Sequence, residues 1–196
     1  MHLQENTVLI TGGASGIGKG LARYFYQYEN KLIIVGRDTY KLNKLQIELP
    51  NIITKQCDLS KQEGINELIS YCIIHHPDIN ILINNAGIEH NGLFSSETSI
   101  SDKIILAEIP TNLTAPILLT NGLIANLLQK KEAAIINISS ALVFHPKINA
   151  AVYSATKSGL HHFTQALRIQ LNNTSIKVFE VLPPLTDTPL TQSNPY

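Results

Sequence analysis

The chain has 196 residues, 44% of them hydrophobic, enough to bury a sizeable core in one unit, and fifteen basic residues balance fifteen acidic ones. A chain without net charge has no field to gather DNA or an anionic membrane, and no apolar run approaches the ~18 residues a bilayer helix needs, so nucleic-acid and membrane roles get no support. Cys57 and Cys72 are too few and too irregularly spaced for a disulfide frame or a zinc site, and with no signal-peptide pattern at the start this points to the reducing cytoplasm.

Val8, Leu9 and Ile10 predict a strand buried on both faces. It runs into Gly12, Gly13, Ala14, Ser15, Gly16, Ile17 and Gly18, where Gly12, Gly16 and Gly18 let the backbone turn tightly and approach a ligand. A helix starting near Ile17 then aims free N–H groups and a positive dipole end at a phosphate. The spacing is Gly-x-x-x-Gly-x-Gly and not the usual Gly-x-Gly-x-x-Gly, so a plain strand-to-helix turn also fits this stretch.

That helix carries Leu21, Ala22 and Phe25 to about Tyr28, with Asn30 as its stop, and residues 31–36 form a second buried strand. Asp38 caps the next helix, whose stripe of Leu42, Leu45 and Leu49 ends at Pro50. Residues 52–57 predict a third strand, followed by a capping box of Ser60 and Glu63 for a helix reaching about His75. The fourth strand, residues 79–83, closes on Asn84-Asn85-Ala86-Gly87, and residues 89–97 read as a polar loop. One long helix spans about residues 101–129, kinked or broken near Asn112 by Pro110 and Pro116. A fifth strand over residues 133–138 ends on Ser139 and Ser140, a helix covers residues 151–171, and a sixth strand over residues 175–182 is stopped by Pro183 and Pro184.

Strand and helix alternate six times, which predicts an α/β fold: a Rossmann-type doubly wound parallel sheet in three layers, strand order 3-2-1-4-5-6, as a single domain over residues 1–196. Ligands of such sheets bind beyond the carboxyl ends of the strands, where Arg37, Asp58, Asn84, Asn85, Ser139 and Ser140 join the glycine turn. Tyr153 and Lys157, four apart on a predicted helix, share a face. A cation beside a phenol favours the phenolate and lowers a pKa that is ordinarily ~10, so the pair is suited to proton exchange. In isolation it reads more simply as an ordinary surface tyrosine and lysine.

Thr11-Gly12-x-x-x-Gly16-x-Gly18, Asn84-Asn85-Ala86-Gly87, Ser140 and Tyr153-x-x-x-Lys157, in this order and at these separations, resemble the single-domain short-chain dehydrogenase/reductase family over about residues 7–188. The resemblance implies that Ser140 hydrogen-bonds the substrate oxygen, with Ser139 only a strand-end hydroxyl. It makes Tyr153 the acid in reduction and the base in oxidation, while Lys157 lowers its pKa and binds the nicotinamide ribose. By the same likeness Asn112 holds a water linking the lysine to solvent, although a polar residue satisfying backbone at a kink describes it equally well. Gly12, Ala14, Ser15, Gly16, Ile17 and Gly18 are implied at the pyrophosphate, Asp58 and Leu59 at the adenine, Asn85 and Gly87 beside the adenine ribose, and Thr188 at the nicotinamide carboxamide. Pro183-Pro184 in place of the usual Pro-Gly, together with Lys55-Gln56-Cys57-Asp58, resembles the DltE-like bacterial subset of the family. Family members continue well beyond the threonine matching Thr188, adding a lid and a seventh strand, so the chain reads as truncated at its C-terminus or as a naturally short member.

An acidic group at the end of the second strand usually holds a free ribose 2′-hydroxyl, whereas a 2′-phosphate needs positive charge. Val35-Gly36-Arg37 offers a guanidinium and no carboxylate before it, so NADPH is expected over NADH; Asp38 is the neighbour able to neutralise Arg37, and Ser15 stands where many NADP-dependent relatives carry a second basic residue. The seven histidines form no His-x-x-x-His helical pair and no His-Glu-x-x-His, so no metal site is expected. The expected activity is carbonyl reduction or alcohol oxidation on a small molecule, in a homodimer or homotetramer built through the helices beginning near Ser101 and Ala151. A nucleotide-binding regulator or scaffold without turnover is the alternative on the same fold. A sugar-nucleotide epimerase would show a different glycine spacing.

Overall fold

The computed structural model describes residues 2–95 and 99–192. Six strands, β1 (Thr7–Thr11), β2 (Lys31–Gly36), β3 (Ile53–Gln56), β4 (Ile81–Asn84), β5 (Ala133–Ile138) and β6 (Ile176–Val181), form a parallel sheet in the predicted order β3-β2-β1-β4-β5-β6. The helices are α1 (Gly16–Gln27), α2 (Thr39–Glu48), α3 (Gln62–His75), α4 (Asp102–Ile109), α5 (Ala115–Leu128), α6 (Ala151–Gln170) and the short α7 (Pro189–Gln192). No helix among the described residues is long and apolar enough to cross a membrane.

The period-two alternation of the strands sorts the helices onto two faces. Val8, Ile10, Ile34 and Ile83 pack with Ala22, Phe25, Leu42 and Leu45 of α1 and α2. Leu9, Ile33, Leu82 and Ile135 pack on the opposite side with Leu68 of α3, Leu119 and Leu123 of α5 and Leu167 of α6. Every residue of β1 is buried, and full burial of one such aliphatic side chain is worth ~1.5–3 kcal/mol, so the central strand anchors both layers. From β1 the chain moves outward to β2 and β3, then returns past β1 to β4. The reversal opens a crevice at the carboxyl ends of β1 and β4.

Of three local readings, two hold and one does not. Asp38 does cap α2, accepting the Lys41 N–H at 3.1 Å. Ser60 and Glu63 form no capping box: the Ser60 hydroxyl and N–H both donate to Asp58 Oδ1, at 2.8 and 3.1 Å, and α3 starts after Lys61 without a side-chain cap. Asp58 is a stronger acceptor two residues away, and the local turn it makes outcompetes the helix end. The long helix is interrupted by a π-helical turn, Pro110–Thr114, because Pro110 lacks the N–H that an α-helical bond requires. Of the loop expected over residues 89–97, Ser96 and Glu97 lie outside the described residues.

Candidate active site

The glycine turn is shaped by contact with the end of β4. Gly12 (φ 64°) and Gly16 (φ 51°) occupy the left-handed region where a side chain is strained. A Cβ on Gly12 would stand 2.8 Å from Ala86 Cα, and one on Gly18 would run into the Gly12 carbonyl oxygen and the Asn85 amide. Thr11 Oγ1 accepts the N–H groups of Asn85 and Ala86, at 3.0 and 3.1 Å. Asn85 Nδ2 in turn donates to the carbonyl oxygens of Thr11 and Gly12, at 2.9 and 3.2 Å. These bonds lock the turn against Asn85, Ala86 and Gly87, and α1 leaves it with its N-terminus at the crevice.

The π-helical turn places Asn112 inward, fully buried. Its Oδ1 accepts the Ile88 N–H at 2.9 Å; its Nδ2 donates to the Ile88 carbonyl at 2.8 Å and to Thr156 Oγ1 at 3.2 Å. The loop leaving β4 is thereby tied to α6. One helical turn apart on α6, Tyr153 and Lys157 are both buried, with Lys157 Nζ 5.6 Å from the phenol ring centre and donating to the Ile138 carbonyl at 2.8 Å. A Cβ on Gly87 would lie 3.4 Å from Lys157 Nζ and 3.5 Å from Asn112 Oδ1, so the space this glycine leaves open lies against the ammonium and the amide. Ser140 accepts the Leu142 N–H at 3.2 Å and hydrogen-bonds Tyr153, whereas Ser139 donates to the Val181 carbonyl at 3.3 Å and joins β5 to β6.

Burial pushes the Tyr153 phenol well above its ordinary value; the Glu89 charge adds to this, the Ser140 hydrogen bond opposes it, and the Glu108 charge adds again. The Lys157 ammonium donates to the Ile138 carbonyl, and burial brings Lys157 itself down to about 8. At the far end, burial raises the Asp58 carboxyl, but hydrogen bonds from Ser60 and then the Arg37 and Lys61 charges bring it below its ordinary value. Asp38 is engaged with α2 and with Lys41, at 3.8 Å, and so is spent on its own helix. Burial pushes the Cys57 and Cys72 thiols to about 11 and about 12, which leaves both inert.

One cleft joins these parts. Gly12, Ser15, Gly16, Ile17, Arg37, Asp58, Leu59, Asn85, Gly87, Ser140, Tyr153, Lys157 and Thr188 all line it. Ala14, Gly18 and Asn112 do not: Ala14 packs into the core beside α2, Gly18 serves the fit of turn to strand, and Asn112 sits behind the wall. Two lining residues had no sequence signal of their own. Glu89 follows the Asn-Asn-Ala-Gly stretch and Lys147 precedes α6, and they meet as an ion pair at 2.8 Å.

A doubly wound parallel sheet with a glycine turn and a buried Tyr-Lys pair facing one cleft at the strands' carboxyl ends defines an α/β protein of the dinucleotide-binding class. The profile of the short chain dehydrogenase family matches residues 6–195, and the chain belongs to that family. It is 39% identical to the uncharacterized oxidoreductase DltE of Bacillus subtilis (strain 168), over 99% of this chain and 77% of that one. Among solved structures it is similar to the short-chain dehydrogenase from Sphingobium yanoikuyae in complex with NADPH, with a TM-score of 0.87 and 31% identity over 96% of this chain and 74% of that one. It is also similar to 3-ketoacyl-(acyl-carrier-protein) reductase from Brucella melitensis complexed with NADH, with a TM-score of 0.89 and 28% identity over 97% and 80%.

Proposed function

We propose that the chain, as a single cytoplasmic domain, interconverts a small carbonyl compound and its alcohol with NADP(H), Tyr153 moving the proton. The observation that carries this reading is the common cleft in which the glycine turn faces the tyrosine and lysine of α6. The room left without Cβ atoms at Gly16 and Gly87 suits a dinucleotide laid from Arg37 to Lys157. Gly12, Ser15, Gly16 and Ile17 would hold its pyrophosphate, with Ala14 and Gly18 shaping the turn from behind. Asp58 and Leu59 would hold the adenine, Asn85 and Gly87 the adenine ribose, Lys157 the nicotinamide ribose and Thr188 the carboxamide.

The nicotinamide, when bound, supplies or accepts the hydride. The chain does the rest. Ser140 and Tyr153 hold the carbonyl oxygen. As the carbon gains the hydride's electron pair, the Tyr153 O–H bond breaks and its proton passes to that oxygen, leaving the alcohol and a phenolate that solvent reprotonates. Asn112 braces the Ile88 backbone and, through Thr156, the first turn of α6. The place of Arg37 at the end of β2, unclaimed by Asp38, supports NADPH over NADH. Exposed Leu106 and Ile109 on α4 support assembly as a homodimer or homotetramer.

The test is cofactor oxidation against a panel of ketones and aldehydes, with Tyr153→Phe as the control. The substitution is expected to lower kcat by ~10²–10⁴-fold while NADPH binding, followed by fluorescence, persists. Equal rates in the two proteins would remove the mechanism.

A further inference from the structure

The cleft wall beside Tyr153 carries a buried ion pair that hydride transfer itself does not call for. Glu89 leaves β4 and Lys147 enters α6, and Lys147 Nζ meets Glu89 Oε1 at 2.8 Å with side chains only 9% and 7% exposed. Both line the cleft together with Ser140 and Tyr153, and the Glu89 charge is felt at the phenol. The two loops are stitched to each other and to their surroundings. The Gly92 N–H donates to the Asn149 carbonyl at 2.8 Å, the Lys147 N–H to Ser154 Oγ at 3.1 Å, and the His90 N–H to Glu108 Oε1 at 2.6 Å. With Asn112 holding Ile88, the wall is hydrogen-bonded in place on both sides of the pair.

Buried ion pairs seldom stabilise a fold more than a well-packed apolar pair of the same volume. A charged pair kept in a cleft wall therefore points to a ligand. Resting on the oxidoreductase reading above, we propose that Glu89 and Lys147 are specificity-determining residues that select carbonyl substrates carrying a hydroxyl group near the carbonyl, over alkyl or carboxylate counterparts. A hydroxyl both donates and accepts, so it bonds carboxylate and ammonium together. An alkyl group in the same place would cover the charges and return nothing. A carboxylate would face Glu89, with Glu108 behind it, as well as Lys147.

The experiment compares three carbonyl compounds of similar size, hydroxyacetone, butanone and pyruvate, by kcat/KM with NADPH in the full chain. Wild type is expected to favour hydroxyacetone over butanone by about ten- to a hundredfold, the worth of one or two charge-assisted hydrogen bonds, and to disfavour pyruvate. Because the α-hydroxyl also activates the carbonyl, the readout is the change in ratio: Glu89→Leu combined with Lys147→Met should lower the hydroxyacetone-to-butanone ratio about ten- to a hundredfold from its wild-type value. A general disturbance of Tyr153 would scale all three substrates alike, so the change in the ratio from wild type to variant isolates recognition. Glu89→Gln, a gentler change that keeps the ammonium, should raise pyruvate relative to hydroxyacetone and carries the test should the double variant not fold. A wild-type preference for butanone or pyruvate, or ratios untouched by these variants, overturns the proposal while leaving the oxidoreductase reading in place. No turnover of any carbonyl compound ends that reading and this inference with it.

Discussion

Lys157 is a charge held in the protein interior, and removing it should strengthen the fold while disabling the site. The residue is 3% exposed, its ammonium has the Ile138 carbonyl as its hydrogen-bond acceptor, and burial brings it from 10.5 to about 8. At about 1.4 kcal/mol per tenfold change in proton affinity, keeping it charged inside the fold near neutral pH costs roughly 3 kcal/mol. Lys157→Met relieves that cost but leaves the Ile138 carbonyl without its donor, a penalty of about 1–2 kcal/mol. The variant is therefore expected to be more stable than wild type near pH 7 by about 1–2 kcal/mol.

The sign reverses with pH. The folded pKa lies below the unfolded one, so between about 8 and 10.5 the unfolded chain binds more protons and wild-type stability climbs with pH. Methionine does not titrate, and the other ionisable groups are common to both proteins. By about pH 10 the difference should have moved by ~2–3 kcal/mol in favour of wild type, erasing or inverting the advantage of the variant. Urea unfolding of the two proteins without cofactor, near pH 7 and near pH 10, measures it. A difference that stays flat between those conditions refutes the reasoning, because the ammonium would then not be paying a burial cost.

Two further predictions follow from the nucleotide half of the cleft. Arg37→Ala should raise KM for NADPH by about ten- to a hundredfold and leave KM for NADH nearly unchanged, since only a 2′-phosphate uses the guanidinium; equal losses for both cofactors would strike Arg37 from the phosphate site. Within α1, Gly18→Ala should destabilise by about 1–3 kcal/mol because its methyl meets the Gly12 carbonyl, whereas Gly20→Ala, with nothing within 4 Å of the new methyl, should stabilise by about 0.5–1 kcal/mol; thermal unfolding of the pair checks whether the turn or the helix sets the effect.

The fold was readable because its determinants are local in the chain. Four successive buried residues in β2, the leucine stripe of α2 and the proline stops each specify an element without reference to distant partners. The strand order followed from right-handed connections together with the doubly wound arrangement that the alternating elements and glycine turn suggest. The site was readable in its motifs and not in its bonding. Asp58 captured Ser60 from the expected capping box because two acceptor geometries compete within one turn, and sequence spacing does not rank them. The shared helix face of Tyr153 and Lys157 is legible from their spacing, but the hydrogen bond from the ammonium to the carbonyl at the end of β5 is not, because that acceptor lies on a distant strand. Glu89 and Lys147 stand 58 residues apart, and only the crossing of two loops above the sheet brings them together.

The same contrast explains where the fold is strained. Residues that build the cleft are ones a stability argument alone would not choose: left-handed Gly12 and Gly16, a π-helical turn that bends a helix to deliver Asn112, a buried ammonium, and Glu108, whose Oε2 has no partner among the described residues. They are tolerable because each is fastened to an element that is secure for other reasons. Thr11, at the end of the fully buried β1, holds the backbone of Asn85 and Ala86; Asn112 holds Ile88; Glu108 holds His90. A substitution in the core of β1, such as Leu9→Ala, should therefore cost more than the ~2–5 kcal/mol of a cavity, since the turn and the loop after β4 depend on the same strand; cofactor affinity should fall even in conditions where the protein remains folded. A cavity-sized loss of stability with unchanged NADPH affinity would mean that the site is anchored elsewhere.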